Sequence, residues 1–176
     1  PAYPADYGEN DRYENYLGCI LNPHSSIIAK DKITVGWREW LALPDLGLPA
    51  IKAKVDTGAK TSALHSFHID RFRRNRQDML EFSMHPLQRN NDLVVRCQAR
   101  LLDKRTVSDS GGHRESRYVI ETRMVLGDYD WPIELTLTKR DNMRFRMLLG
   151  RTAIAEHFII DPSRSYAIGK KPRKNS

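Results

Sequence analysis

The residues most able to do chemistry lie in the stretch VDTGAKTSALH, residues 55–65, where Asp56, Thr57 and Gly58 follow an alternating apolar run. Hydrolysing a peptide bond without a metal or a covalent intermediate needs one group to deprotonate water and another to protonate the product. Two carboxyls sharing one proton can do both, because like charges held close cannot both ionise. Asp56 suits one half of such a pair. A strand ending at Val55 would deliver it to a loop at the end of a sheet, and Thr57 offers a hydroxyl to a facing loop. Gly58 permits backbone geometry that a side chain would block, and the small Ala59 lets the chain turn back toward SALH. Alone the tripeptide is weak, since chance places one in about a few per cent of chains this long.

Other chemistry-bearing residues compete poorly. The segment DSGG (Asp109, Ser110, Gly111, Gly112) repeats the Asp-x-Gly pattern. The preceding KRTVS is no clean apolar strand, however, and no second Leu-Leu-Gly element follows it, so it reads as a Gly-rich hairpin tip. No His-Glu-x-x-His zinc motif occurs. His65 and His68 are three apart and could in principle gather a metal with His85 or His113, but in a chain with six histidines surface or hydrogen-bonded roles are the simpler reading. No metal site and no cofactor are expected. Cys19 and Cys97 form neither a Cys-x-x-Cys pair nor a disulfide framework.

The elements that must position Asp56 read as strands. AIKAKV (50–55) alternates Ile51, Ala53 and Val55 against Lys52 and Lys54, the period-2 pattern of a half-buried strand. KITVGWREWLAL (32–43) reads as one bent strand or two, and MLEFSM (79–84), LVVRCQARLL (93–102), RYVIETRMVLG (117–127), IELTLT (133–138) and FRMLLG (145–150) as further strands. Leu93, Val95, Cys97, Ala99 and Leu101 share one face, as do Tyr118, Ile120, Thr122, Met124 and Leu126. Helical signals are sparse: a short helix at TAIAEHF (152–158) and a helical turn within HIDRFRRN (68–75). Many short strands with polar turns predict an all-β barrel or sandwich.

A second motif gives the first its meaning. MLLGR (147–151) places two apolar residues and a Gly after a strand and before the short helix. With Asp56-Thr57-Gly58 upstream, this order resembles the retropepsins, small aspartic proteases of retroviral type. KVDTGAKTSALHSFHI, VIETRMVLGDYDWPIELTLTKRDNMRFRMLLGR and FIIDPSRSYAIG are similar, more narrowly, to a bacterial family of retropepsin-like aspartic endopeptidases. That family was once described as ATP-dependent zinc proteases, and some members are associated with RimK-type ATP-grasp glutamate ligases. The resemblance implies an acid-protease barrel over 32–169, with an N-terminal extension at 1–31 and a basic tail at 170–176. It implies Asp56 as catalytic residue, Thr57, Gly58 and Ala59 as its loop, and Leu148, Leu149 and Gly150 as the loop's support. One Asp-Thr-Gly supplies one carboxylate, so the resemblance also implies a homodimer with Asp56 from each chain at the two-fold axis. Asp109–Gly112 then falls where retropepsins carry the flap over the substrate. An acidic residue often follows the Asp-Thr-Gly-Ala segment in that family and pairs with the Arg after the second motif. Here Lys60 stands in its place, so Arg151 must find another acceptor.

Composition sets the outer limits. A chain of 176 residues, 40% hydrophobic and 29% charged, can bury a core. It has no apolar run of the roughly 18 residues needed to span a membrane. A cytoplasmic location is expected, or a periplasmic one if a targeting segment preceded Pro1. The formal charge of +7 is spread out, with small clusters at RFRRNR (71–76) and KKPRKNS (170–176). Aromatics do not line basic strands as a nucleic-acid stacking platform requires; Tyr118, Tyr129, Trp131 and Phe145 read as core or hairpin residues. The expected partners are therefore a second copy of the chain and a peptide substrate, acidic or glutamate-bearing, rather than nucleic acid. The competing class is a non-catalytic β-barrel that binds peptide or nucleic acid.

Overall fold

The computed structural model describes residues 32–88, 90–108, 112–139 and 144–169. The extension at 1–31, the tail at 170–176 and the flap positions Asp109, Ser110 and Gly111 lie outside the described residues. The chain runs β1 (Ile33–Gly36), β2 (Arg38–Leu43), a 3-10 turn (Pro44–Leu46), β3 (Leu48–Val55), β4 (Ser62–His65), β5 (Phe67–Arg74) and β6 (Gln77–Met84). Next come β7 (Val95–Ser108), β8 (Arg114–Leu126), β9 (Tyr129–Thr138), β10 (Met147–Leu149), the single-turn α1 (Arg151–Ile154) and β11 (Phe158–Asp161). The all-β fold class read from the sequence holds.

Nine strands form one sheet in the order β2-β3-β10-β4-β9-β8-β7-β6-β5, and a pairing of Ala42 with Val125 brings β2 onto β8 and curls the sheet on itself. The inner face carries the core: Ile51, Leu64, Leu80, Phe82, Met84, Ile120, Met124, Leu135 and Met147 are all fully buried. At about 1.5–3 kcal/mol for each such side chain, this layer dominates the stability. β1 and β11 pair in parallel as a separate two-stranded sheet, Ile33 opposite Phe158 and Gly36 opposite Asp161.

Two local readings of the sequence need correction. Residues 68–75 hold no helical turn: β5 is a strand paired antiparallel with β6. The two join through Asn75 and Arg76, whose φ values of 50° and 63° are those of a two-residue hairpin turn matched to strand twist. The C-terminal helix is shorter than 152–158. It stops at Ile154 because Phe158 is drawn into β11 and buried.

The shape that matters for function is the insertion of β10 between β3 and β4. β10 lies parallel to β3 and antiparallel to β4, so the loop from β3 to β4 must cross over the end of β10. That crossing loop is 56–61.

Candidate active site

The β3–β10 ladder continues past the strand end: the Asp56 amide donates to the Leu149 carbonyl at 2.8 Å. Strand alternation therefore carries through to Asp56. Ile51, Ala53 and Val55 point into the core, whereas Lys52, Lys54 and Asp56 point to the opposite face. Asp56 is half-buried, and Thr57 and Gly58 are exposed. The Asp56 carboxylate accepts the Gly58 amide at 3.1 Å, and the Ala59 amide donates to the Asp56 carbonyl at 3.2 Å. Gly58 is not in the left-handed region. Its lack of a side chain matters for another reason: a Cβ there would lie 3.2 Å from Asp56 Oδ1, against the carboxylate itself.

The second motif holds the first by backbone contact. Ala59 and Lys60 carbonyls accept the Arg151 and Thr152 amides at 2.9 and 3.0 Å, and Thr152 Oγ1 adds a bond to the Lys60 carbonyl at 3.0 Å. Gly150 is buried so tightly that a Cβ would lie 2.5 Å from the Thr61 carbonyl carbon and 2.8 Å from the Lys60 oxygen. Its amide donates to Ser62 Oγ at 3.0 Å. Leu148 is half-buried and Leu149 buried. The structure thus brings Asp56–Ala59 together with Leu148–Gly150.

Arg151 finds the acceptor that Lys60 denies it. Its guanidinium donates to the Thr57 carbonyl at 2.7 Å and the Gly58 carbonyl at 3.1 Å, clamping the loop through main-chain oxygens. Lys60 faces elsewhere electrostatically. Glu134 on β9 is held below the ordinary carboxylate range, first by hydrogen bonds from Arg105, and Lys60 adds a smaller attraction. Arg105 also bonds Asp103, so the base of the β7–β8 hairpin is tied to the strand beside the loop. That hairpin pairs out to Ser108 opposite Arg114. Gly112 is the one flap position described, with φ at +79°.

Ser62 and Thr152 are the loop contacts that sequence reasoning missed; as small hydroxyl residues they carried no motif. The rings of His65, His68 and His85 each pack against Phe67. The Arg cluster at 71–76 is partly neutralised in place, Arg71 and Arg73 pairing with Asp78. Trp131 donates its indole N–H to the Ala153 carbonyl, and Phe145 packs edge-on against Trp37.

Comparison with known proteins agrees with this geometry. The profile of the RimB-like family, described as retropepsin-like aspartic endopeptidase RimB, matches residues 34–171. The chain belongs to this family. The RimB-like segment is also similar to part of two curated proteins, each called a probable alpha-L-glutamate ligase. The one from Parasynechococcus marenigrum is 50% identical over 138 residues, covering 78% of this chain and 30% of the ligase. That from Shewanella pealeana is 43% identical over 144 residues, covering 82% and 31%. The chain spans about a third of the length of these relatives. Among solved structures, a Legionella pneumophila protein described as of unknown function superposes with a TM-score of 0.63. It is 26% identical, over 77% of this chain and 98% of that one. Among the described residues of this RimB-like chain, no helix is long and apolar enough to cross a membrane.

Proposed function

We propose that the protein is an aspartic endopeptidase that works as a homodimer, with Asp56 from each chain meeting at the two-fold axis. The observation that carries this reading is the 56–59 loop. It is fastened from behind by Leu149, Gly150 and Arg151, yet it presents its one carboxylate half-exposed at the sheet end, where among the described residues only the Gly58 amide bonds it. A second copy placed there supplies the missing carboxylate. The two Asp56 side chains share a proton. The ionised one takes a proton from water as that water attacks the scissile carbonyl, and the protonated one gives its proton to the departing nitrogen. Thr57 braces the facing loops, and the hairpin spanning 105–117, with Asp109–Gly112 at its tip, closes over an extended peptide. The ligase names of the relatives and the net positive charge favour an acidic or glutamate-bearing substrate.

One observation favours a second reading, a non-catalytic binding module. The described chain has a single Asp-Thr-Gly loop, and the curated relatives carry a similar segment within proteins named for ligation. The deciding experiment is cleavage of a diverse peptide mixture from acidic to neutral pH by wild type and Asp56→Asn. The peptidase reading expects cleavage that is lost in the variant and is blocked by pepstatin-type inhibitors but not by chelators. Cleavage that persists in Asp56→Asn would sink it.

A further inference from the structure

The face of the sheet that carries Asp56 is cationic, and its cations are arranged rather than scattered. Arg38 lies opposite Lys54 and Trp40 opposite Lys52 in the β2–β3 register. Directly opposite residues of an antiparallel pair project to the same side, so all four share the face of Asp56. Beyond them a groove of about 540 Å³ is lined by Arg38, Trp40, Lys52, Arg144 and Phe145, together with residues 86–88 and 90. None of its described lining residues is acidic. Arg38, Lys52 and Arg144 make no ion pair with any described residue.

What holds Arg38 and Lys52 in place is aromatic. Arg38 lies 4.5 Å from the Trp37 ring centroid and 4.9 Å from that of Tyr166, while Lys52 Nζ lies 5.0 Å from Trp40 and 5.5 Å from Tyr166. Tyr166 and Trp40 stack on each other, and Ser165 Oγ accepts from Arg38 Nε at 3.1 Å. Aromatic faces and a hydroxyl orient a cation without cancelling its charge. A site built this way keeps its full capacity for an anion.

We propose that Arg38, Lys52 and Arg144 form a distal subsite that grips a side-chain carboxylate of the bound peptide and so determines which peptides are cleaved. The position follows from strand geometry. Lys52 lies four residues along β3 from Asp56, about 13 Å, and an extended peptide covers that distance in about four residues. The carboxylate read here therefore sits three to four residues from the scissile bond, with Lys54 lying between. Trp40 and Phe145 supply an apolar floor for the carbon stem of that side chain. This inference rests on the peptidase reading for its link to cleavage, but the binding it asserts is measurable without cleavage.

The test uses blocked, fluorophore-labelled octapeptides in which one Glu at a time is replaced by Gln, with binding to the Asp56→Asn protein read by fluorescence anisotropy. One position should prefer Glu by about tenfold, the size expected of a charge-assisted contact in a partly enclosed site. That preference should collapse toward unity in Arg38→Gln and Lys52→Gln proteins that keep the wild-type melting temperature, and should weaken with salt. A Glu preference that survives both substitutions overturns the subsite, as does equal affinity for Glu and Gln at every position. Asp56-dependent cleavage without any Glu preference leaves the peptidase standing and removes the subsite. Selective Glu binding without cleavage by wild type keeps the subsite and counts against the peptidase.

Discussion

Gly150→Ala is the substitution whose consequence is most fully determined by the geometry. Gly150 sits in extended backbone with φ −80° and ψ 168°, a conformation any residue adopts, so the cost of a side chain there is purely steric. Its Cβ would meet backbone atoms: 2.5 Å to the Thr61 carbonyl carbon, 2.7 Å to the Thr61 oxygen and 2.8 Å to the Lys60 oxygen. Ordinary contact begins near 3.4 Å, so the crossing loop must retreat by about 0.9 Å. No rotamer change relieves this, because nothing at the contact is a flexible side chain end. Overpacking of this kind costs about 1–3 kcal/mol, and the retreat strains the bond from the Gly150 amide to Ser62 Oγ. The same loop carries Asp56, and a misplacement of about 1 Å at a reacting group costs roughly a hundredfold in rate. Gly150→Ala should therefore lower the urea midpoint and, in the fraction that stays folded, reduce peptide cleavage about a hundredfold. Gly58→Ala is the matched control: its Cβ meets only Asp56 Oδ1, at 3.2 Å. It should leave stability within about 0.5 kcal/mol of wild type while impairing activity. A Gly150→Ala protein with wild-type midpoint and wild-type cleavage would refute the reasoning.

Further expectations follow from individual contacts. Glu39 is fully buried and accepts the amides of Gly36, Ala167 and Gly169; Glu39→Gln turns an NH2 toward at least one of these donors and should cost about 1–3 kcal/mol in thermal or urea unfolding. Arg151→Ala removes the clamp on the Thr57 and Gly58 carbonyls and should lower cleavage about tenfold by loosening the loop, with Arg151→Lys recovering part of it. Glu134 has its folded pKa depressed from an ordinary 4.5, chiefly by Arg105. Its contribution is present above 4.5 and is lost as pH falls through the depressed value. Both side chains are more than a third exposed, so the pair contributes at most about 1 kcal/mol. Arg105→Gln should flatten that part of the stability–pH curve, as measured by urea midpoints at stepped acidic pH.

How much of this was legible depended on whether the signal was local. β3, β7 and most of β8 announced themselves because one face is buried and the other is wet, so Ile51, Ala53 and Val55 alternate cleanly with Lys52 and Lys54. β9 was legible from the alternation of residue types in IELTLT, although Leu135–Thr138 are all buried. β4 carries no alternation: Ser62, Ala63, Leu64 and His65 are all buried, since the strand lies between β10 and β9 and is covered on both sides. β5 was hidden by its charge and by its turn. Phe67–Arg74 is mostly exposed, and Asn75-Arg76 lacks the glycine that usually marks positive φ at both turn residues. Asp56–Gly58 and Leu148–Gly150 were readable as motifs, and the family resemblance joined them. Invisible were the contacts that fasten them, Ser62 to Gly150 and Arg151 to Thr57. Each joins one side chain, the Ser62 hydroxyl or the Arg151 guanidinium, to a main-chain group 88 or 94 residues away, a pairing that only the folded chain brings about.

Subunit mixing tests most directly whether catalysis needs one Asp56 from each of two chains. Wild type and Asp56→Asn are unfolded together in equal amounts, refolded, and assayed for peptide cleavage at constant total protein. If the site is a shared dyad and pairing is random, only wild-type pairs cut, and activity falls to about one quarter of the all-wild-type value. Activity near one half, which is what independent single-chain sites give, would contradict it.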